Sequence, residues 1–468
     1  MMVAGITSME NGKYGRQARN SKTKTMGKKQ EETIFPRYHG EKWTGTRLPT
    51  VSQRWLMGKK HSVSKDSYHR AAYLKEFESV IGKEPWKWPK RPLYFISDIH
   101  GDADAFIASL VATGVVKKTG PRDKDIKLTG AGRKSHFLIG GDCFDKGPST
   151  LRLLRVIKML IDKRADVVIL AGNHDVRMML GIRSIGMEAD PRTDHFFIRM
   201  GRKMVPFLKE ISEQYLQGKN ALSGVPGTRE CRRLLYPPKS WLRDFPEQAT
   251  WAMPESTIRK EVKRLQEKIH QFDEDTRRAD MSLRQVYAAA IKWQELFLHP
   301  GGEFSWFYKH MSLCYRSGSF LFLHAGIDDR IADVLYQKSW KHLNRKFREL
   351  MFENPFDFYY GPFANIMRTK YRKVDMPLTR NGVRKIRKKG IHALVHGHRN
   401  LSHGQRLMLR KGLLNIECDT TLNRNSRKRD GMEGPGAAVT IIRPEGYVLG
   451  ISSDYPKIKV FDPVLCVA

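Results

Sequence analysis

Five short runs of unbroken apolar residues punctuate the chain, at 93–96, 137–139, 167–170, 320–323 and 393–395, each ending in polar or glycine residues. Runs of this length without alternation suit strands buried on both faces. Helical stretches separate them, the plainest at 150–161, where Leu151, Leu154, Ile157, Leu160 and Ile161 share one face. Further runs at 413–416, 437–442 and 447–451 read as strands of a second sheet. The pattern predicts an α/β fold in which two sheets face each other as a sandwich flanked by helices.

Between about 184 and 315 this rhythm breaks. Ile258, Val262, Leu265, Ile269 and Phe272 are spaced four, three, four, three, which predicts an amphipathic helix with a coiled-coil-like seam. A second helical segment follows at 281–298. This stretch reads as a helical insertion, placed either over the mouth of a site or on the flank of the core. Residues 1–90 read as a basic, partly flexible N-terminal arm, and 91–460 as the main domain. The arm holds a short helical pattern in Tyr73, Leu74, Phe77, Val80 and Ile81. Trp43, Trp55, Trp86 and Trp88 interleave there with Lys and Arg. That arrangement serves base stacking or packing on the domain, and packing is the expectation.

With 40% hydrophobic residues in 468 the chain can bury a substantial core. No apolar run approaches the ~20 residues of a membrane span, and the first residues lack the apolar stretch of a secretory signal. A cytoplasmic location is expected. The five cysteines, Cys143, Cys231, Cys314, Cys418 and Cys466, are scattered and form no CxxC pair, which argues against a disulfide framework or structural zinc. Lys and Arg outnumber Asp and Glu by 84 to 49, a formal net charge of +35. Such a surface favours contact with polyanions and phosphorylated substrates without identifying one.

Chemistry-bearing residues cluster just after the predicted strands, where open α/β sheets bind ligands. Asp98-Ile99-His100-Gly101 follows the first strand, with Asp and His spaced to hold one cation. Next comes Gly140-Gly141-Asp142-Cys143-Phe144-Asp145-Lys146-Gly147, in which Asp142 can bridge two cations. Asp145 can orient a histidine there, and Lys146 can meet a phosphate. Asn173-His174-Asp175 follows the third strand, His324 the fourth, and His396-Gly397-His398 the fifth. Each histidine alone is unremarkable. Five strand ends carrying Asp/His, Asp/Asp, Asn/His, His and His in order are not, and oxygen and imidazole donors without thiolates suit manganese, iron or catalytic zinc.

This ordered set resembles the calcineurin-like metallophosphoesterase superfamily, and within it the PPP-type serine/threonine protein phosphatases. The resemblance covers 93–183 closely, and 320–327 and 362–451 loosely. It implies two divalent metal ions (Mn, Fe or Zn), the first held by Asp98, His100 and Asp142. Asp142 would bridge to a second, completed by Asn173, His324 and His398. It implies His174 as general acid, oriented by Asp145, with Lys146 and Arg368 gripping the substrate phosphate and Arg177 structural. The sequence departs from the family at Ser97, Asp175 and Ala325, and most consequentially at Lys146, where an arginine is usual. An ammonium is a point charge and cannot fork two phosphate oxygens.

The implied activity is phosphate monoester hydrolysis, with phosphoserine or phosphothreonine proteins as candidate substrates, through attack by a hydroxide bridging the two metals. His398 is followed by Arg399 and Asn400 rather than by the second histidine of phosphodiesterase branches, which favours a phosphatase. Two other readings stand beside it: hydrolysis of nucleotides or dinucleoside polyphosphates, and a non-enzymatic nucleic-acid-binding protein on this scaffold. His396 competes with His398 as the last ligand.

Overall fold

The computed structural model describes residues 34–55, 77–82, 85–251 and 253–464. The strands expected at 93–96 and 320–323 form with those bounds, and the other expected strands form with ends shifted by one residue. Labelled in chain order, the strands begin with β1 (Ser52–Arg54) and β2 (Leu93–Ile96), then a separate hairpin of β3 (Val116–Lys118) and β4 (Ile126–Leu128). β5 (His136–Ile139), β6 (Asp166–Leu170), β7 (Met311–Ser312), β8 (Cys314–Ser317) and β9 (Phe320–Leu323) follow. The chain then forms β10 (Ala393–His396), β11 (Arg406–Arg410), β12 (Leu413–Glu417), β13 (Ala438–Ile442), β14 (Val448–Ser452) and β15 (Ile458–Phe461).

Eight strands make a main sheet in the order β1-β15-β14-β13-β2-β5-β6-β7, and five make a second sheet in the order β11-β12-β10-β9-β8. The two sheets share a core. Phe95, Leu138 and Leu170 from the first meet Phe320, Phe322, Val395, Leu414 and Ile416 from the second. Their neighbours along each strand, Tyr94, Ile96, Phe137, Ile139, Leu321, Leu323 and Leu394, face the helices. This alternation is the two-residue period of a strand, and because both faces are covered, β2 and β9 are buried at every position.

One expectation is corrected. The runs at 437–442 and 447–451 do not join the second sheet: β13 pairs antiparallel with β2, placing both in the main sheet. β9 and β10 instead pair in parallel in the second sheet, alongside β12. An apolar run tells that a strand is buried but carries no information about which neighbour it pairs with.

The amphipathic pattern at 258–272 lies on a helix, Glu255–Arg278, that buries Ile258, Leu265 and Phe272. The following segment forms Leu283–Phe297, opened by a capping box at Ser282 and Gln285. Helices occupy most of 196–309, and β7 and β8 lie in the last residues of the interval read as insertion. Among the described residues before 91, β1 runs parallel to β15, and Trp55, Phe77 and Ile81 enter the inter-sheet core. Trp86 stacks on Trp88 at 5.9 Å and packs on Phe320 at 5.4 Å. Tyr73 and Leu74 lie outside the described residues. No helix among the described residues is long and apolar enough to cross a membrane.

Candidate active site at the strand ends

β2, β5 and β6 are parallel neighbours, so their carboxyl ends and the loops beyond them lie side by side. β9 and β10 bring a second set of strand ends to the same place. The loops pass very close to one another. A Cβ on Gly397 would strike Ser97 and the Asp98 carboxylate, and one on Gly172 would strike the backbone of Asp142. Six of the expected site residues, Asp98, His100, Asp142, Asp145, Lys146 and His398, adopt left-handed backbone with φ between 49° and 67°. Non-glycine residues rarely hold that conformation, and clusters of it mark functional sites.

The side chains converge as two groups that share Asp142. Asp98, His100 and Asp142 form one, and Asp142, His324 and His398 the other, with their ligand atoms within 4.8 Å of one another. Asp142 Oδ2 lies 3.3 Å from His324 Nε2 and 3.7 Å from His100 Nε2. A third group, His100, Asp145 and His174, adjoins them. His396 is in none of these groups. It is buried, its Nδ1 donates to the Gly397 carbonyl at 3.0 Å, and Nε2 has no partner.

Backbone carbonyls set the ring tautomers. His100 Nδ1 donates to Phe144 O at 2.9 Å, His324 Nδ1 to Gly140 O at 2.8 Å, and His398 Nε2 to Arg368 O at 3.1 Å. A carbonyl only accepts, so the bonded nitrogen of each ring carries a proton and the other nitrogen is the one turned to the donor groups. Asn173 completes the set. In one amide orientation it donates to His398 Nδ1 at 3.0 Å and Met367 O at 3.2 Å and accepts from Arg177 Nη2 at 3.2 Å. In the other its oxygen faces two acceptors, an arrangement that a cation beside Asn173 and His398 would satisfy.

Electrostatics agree with this donor set. Burial alone would lower the His324 pKa, yet Asp142 and Asp98 overcome it and raise it to about 10. The two carboxylates call for positive charge at that point. Burial raises Asp98, with Asp142 adding to the effect. His100 is lowered to about 3, first by burial and then by Lys146, which leaves it a neutral donor. The residues present therefore fit divalent cations: acidic and imidazole donors, fixed tautomers, and an unmet demand for positive charge.

His174 sits at the start of the helix Asn173–Arg183. Its Nδ1 bonds the Asp145 carboxylate, its backbone N–H donates to Asp142 Oδ1 at 2.9 Å, and Nε2 stands 3.7 Å from Asp142 Oδ2. Burial lowers the His174 pKa well below its usual value and raises that of Asp145 to about 6. Lys146 places its ammonium against His100 Nε2. Arg368 contributes its carbonyl to His398, while its guanidinium stacks on Tyr359 at 4.9 Å.

Sequence reasoning passed over Asp175 except as a departure from a family pattern. It is wholly buried and accepts backbone N–H bonds from Asp142 (2.8 Å), Cys143 (2.8 Å), Phe144 (3.0 Å) and Gly172 (3.2 Å). One carboxylate thus holds the loop that carries Asp142 and Asp145. Its position in the first turn of a helix was the available signal. Asp102 plays a similar part: it caps the helix Ala103–Ala112 and takes three bonds from Arg424.

Residues 91–248, which carry three of the five strand-end clusters, match the family model described as calcineurin-like phosphoesterase. This part of the chain is similar to calcineurin-like phosphoesterases. The phosphoesterase match ends inside the helical region, and His324 and His398 lie beyond it. No curated protein sequence matches the chain. Among solved structures, a cold-active protein-tyrosine phosphatase of a psychrophilic Shewanella superposes with a TM-score of 0.38 at 12% identity, covering 82% of this chain and 84% of that one. A protein serine/threonine phosphatase from Saccharomyces cerevisiae with similarity to human phosphatase PP5 gives 0.35 at 12%, covering 84% and 88%. Superpositions this loose add no weight to the assignment. The His/Asp groups that share Asp142 could hold a metal ion.

Proposed function

We propose that the chain is a phosphomonoesterase of the protein-phosphatase type that uses two divalent ions of manganese, iron or zinc. The observation that carries this reading is the pair of donor groups sharing Asp142. Asp98, His100 and Asp142 would hold one ion, and Asp142, Asn173, His324 and His398 the other. Bound there, the ions supply Lewis-acid polarisation of the phosphate and an activated water.

The remaining steps belong to the protein's own residues. Asp145 holds the His174 ring through Nδ1, so Nε2 is the atom that gives a proton to the leaving alkoxide once the bound phosphate's negative charge offsets the burial that lowers the ring's pKa. Without that proton a serine-like alkoxide leaves poorly. Lys146 and Arg368 balance charge on the phosphate oxygens. Neither is paired with a carboxylate among the described residues, so both charges are available to a substrate.

His174→Ala tests the assignment. Metal content should stay at the wild-type level while turnover of an alkyl phosphate falls by about 10²–10⁴. Nitrophenyl phosphate, whose leaving group needs less protonation, should lose less. Equal turnover of the alkyl ester in variant and wild type would overturn the role of His174.

A further inference from the structure

Beyond the two donor groups, the helical region turns an unusual number of cations toward the site. Arg177 stands one helical turn from Asn173, with Nη2 3.2 Å from the Asn173 amide, and its buried Nε has no partner. Lys268, from the helix Glu255–Arg278, lays its ammonium over Gly201, in the space a Cβ would fill. Lys203 is two residues further along the chain, on an exposed turn. Arg199 and Arg368 share the face of one ring, Tyr359, at 5.7 and 4.9 Å.

The nearest acid from this helical region is already taken, since Glu261 binds Arg199 at 2.8 Å and Arg264 at 2.9 Å. Arg177, Lys203 and Lys268 have no carboxylate ion pair among the described residues. They feel one another instead. The Lys268 pKa falls to about 7, first through burial and then through Arg199, Arg177 and Lys203. That of Lys203 is lowered first by partial burial of its ammonium and then by Lys146, with Asp145 opposing. Keeping like charges together without counter-charge is unfavourable in the free protein, and an anionic ligand removes the penalty.

We propose that Arg177, Lys203 and Lys268 form an anion subsite beside the donor groups, which takes a second negatively charged group of the phosphoester substrate. The chemistry required is a phosphate or carboxylate close to the scissile phosphate on the same molecule. The subsite deepens the phosphomonoesterase reading and rests on it for the position of the scissile group. Lys146 belongs to that first position, and the helical region supplies the second. A substrate with one isolated phosphate would leave the subsite repelling itself.

The test uses the full chain as purified and three non-hydrolysable probes, followed by titration calorimetry. Methylphosphonate carries one anionic group, methylenediphosphonate adds a linked phosphonate, and phosphonoacetate adds a carboxylate. The wild type should bind at least one of the latter two about tenfold more tightly than methylphosphonate, the size expected for one charge-assisted contact. Which probe shows the advantage distinguishes phosphate from carboxylate. The double variant Lys203→Gln/Lys268→Gln should lose the advantage, and Lys203→Gln alone, at an exposed position, should lose part of it should the double variant fail to fold. Lys260→Gln, on the same helix as Lys268 but away from the site, should keep it. No advantage in the wild type, its persistence in the Lys203 and Lys268 variants, or its equal loss with Lys260→Gln would overturn the subsite. Absence of metal-dependent hydrolysis with the binding pattern intact would instead count against the enzymatic reading and leave the subsite standing.

Discussion

Strands of both sheets bring imidazoles to the site, but the carboxylates of the donor groups come only from strands of the main sheet. Asp98, Asp142 and Asp145 follow β2 and β5, while His324 and His398 follow β9 and β10. The carboxylates of these groups therefore come from one sheet and the imidazoles from both. Hydrogen bonds cross between them: His324 donates to Gly140 O, and the His398 backbone N–H donates to Asp98 Oδ2 at 3.0 Å. The site is thus a seam between two sheets, and its geometry depends on their relative placement as much as on either alone. A seam of this kind would give two bound metals unequal surroundings, with the richer negative charge on the main-sheet side.

The comparison can be broken most severely at Asp142, the residue both groups share. Asp142→Asn should lower turnover by more than about 10³-fold, beyond the loss of a single stabilising donor. Elemental analysis should then find less metal than in His398→Ala, which disturbs one group only. Equal metal content in the two variants would contradict a shared ligand. Turnover of an alkyl phosphate by His174→Ala is the next largest effect, as set out above.

Asp175 tests the main-sheet side without altering the side chain of a proposed ligand. Its carboxylate holds four backbone N–H groups, and charge-assisted hydrogen bonds contribute roughly 1.5–3 kcal/mol each. Asp175→Ala should therefore cost about 3 kcal/mol or more of stability in urea unfolding. A midpoint within error of the wild type would show that the loop is held by other means.

The smallest effect is expected from Lys146→Arg. A guanidinium can grip two phosphate oxygens where the ammonium grips one, so KM should fall by up to about tenfold with little change in kcat. An unchanged KM would place Lys146 away from the substrate phosphate.

Much of this was legible in the chain because strand-end chemistry is local. Asp98 and His100 flank one residue after an apolar run, and Asp142 follows two glycines after another. Such spacing constrains the side chains before any tertiary contact forms. The contest between His396 and His398 was not local. Both follow the same strand, and only the turn at Gly397, with His398 at φ 67°, brings one ring to the donor groups while the other stays among the second-sheet strands. Asp175 escaped notice for a related reason: three of its four partners lie more than thirty residues away in sequence. The cations of the helical region gave no motif at all, because Arg177, Lys203 and Lys268 meet only after three helices pack.

The sequence alone marked eight of the fifteen strands among the described residues, the oxygen and imidazole donors at the ends of five of them, and the change to helices after 184. These follow from residue type and short-range period, which act within a few bonds of the backbone. Tertiary structure decided that β13 and β14 border β2, that β9 and β10 stand across the sandwich, and that Asp142 is held in common. Sheet partnership and shared ligands depend on distances between parts of the chain far apart in sequence, and hydrophobic burial, being non-directional, does not specify them.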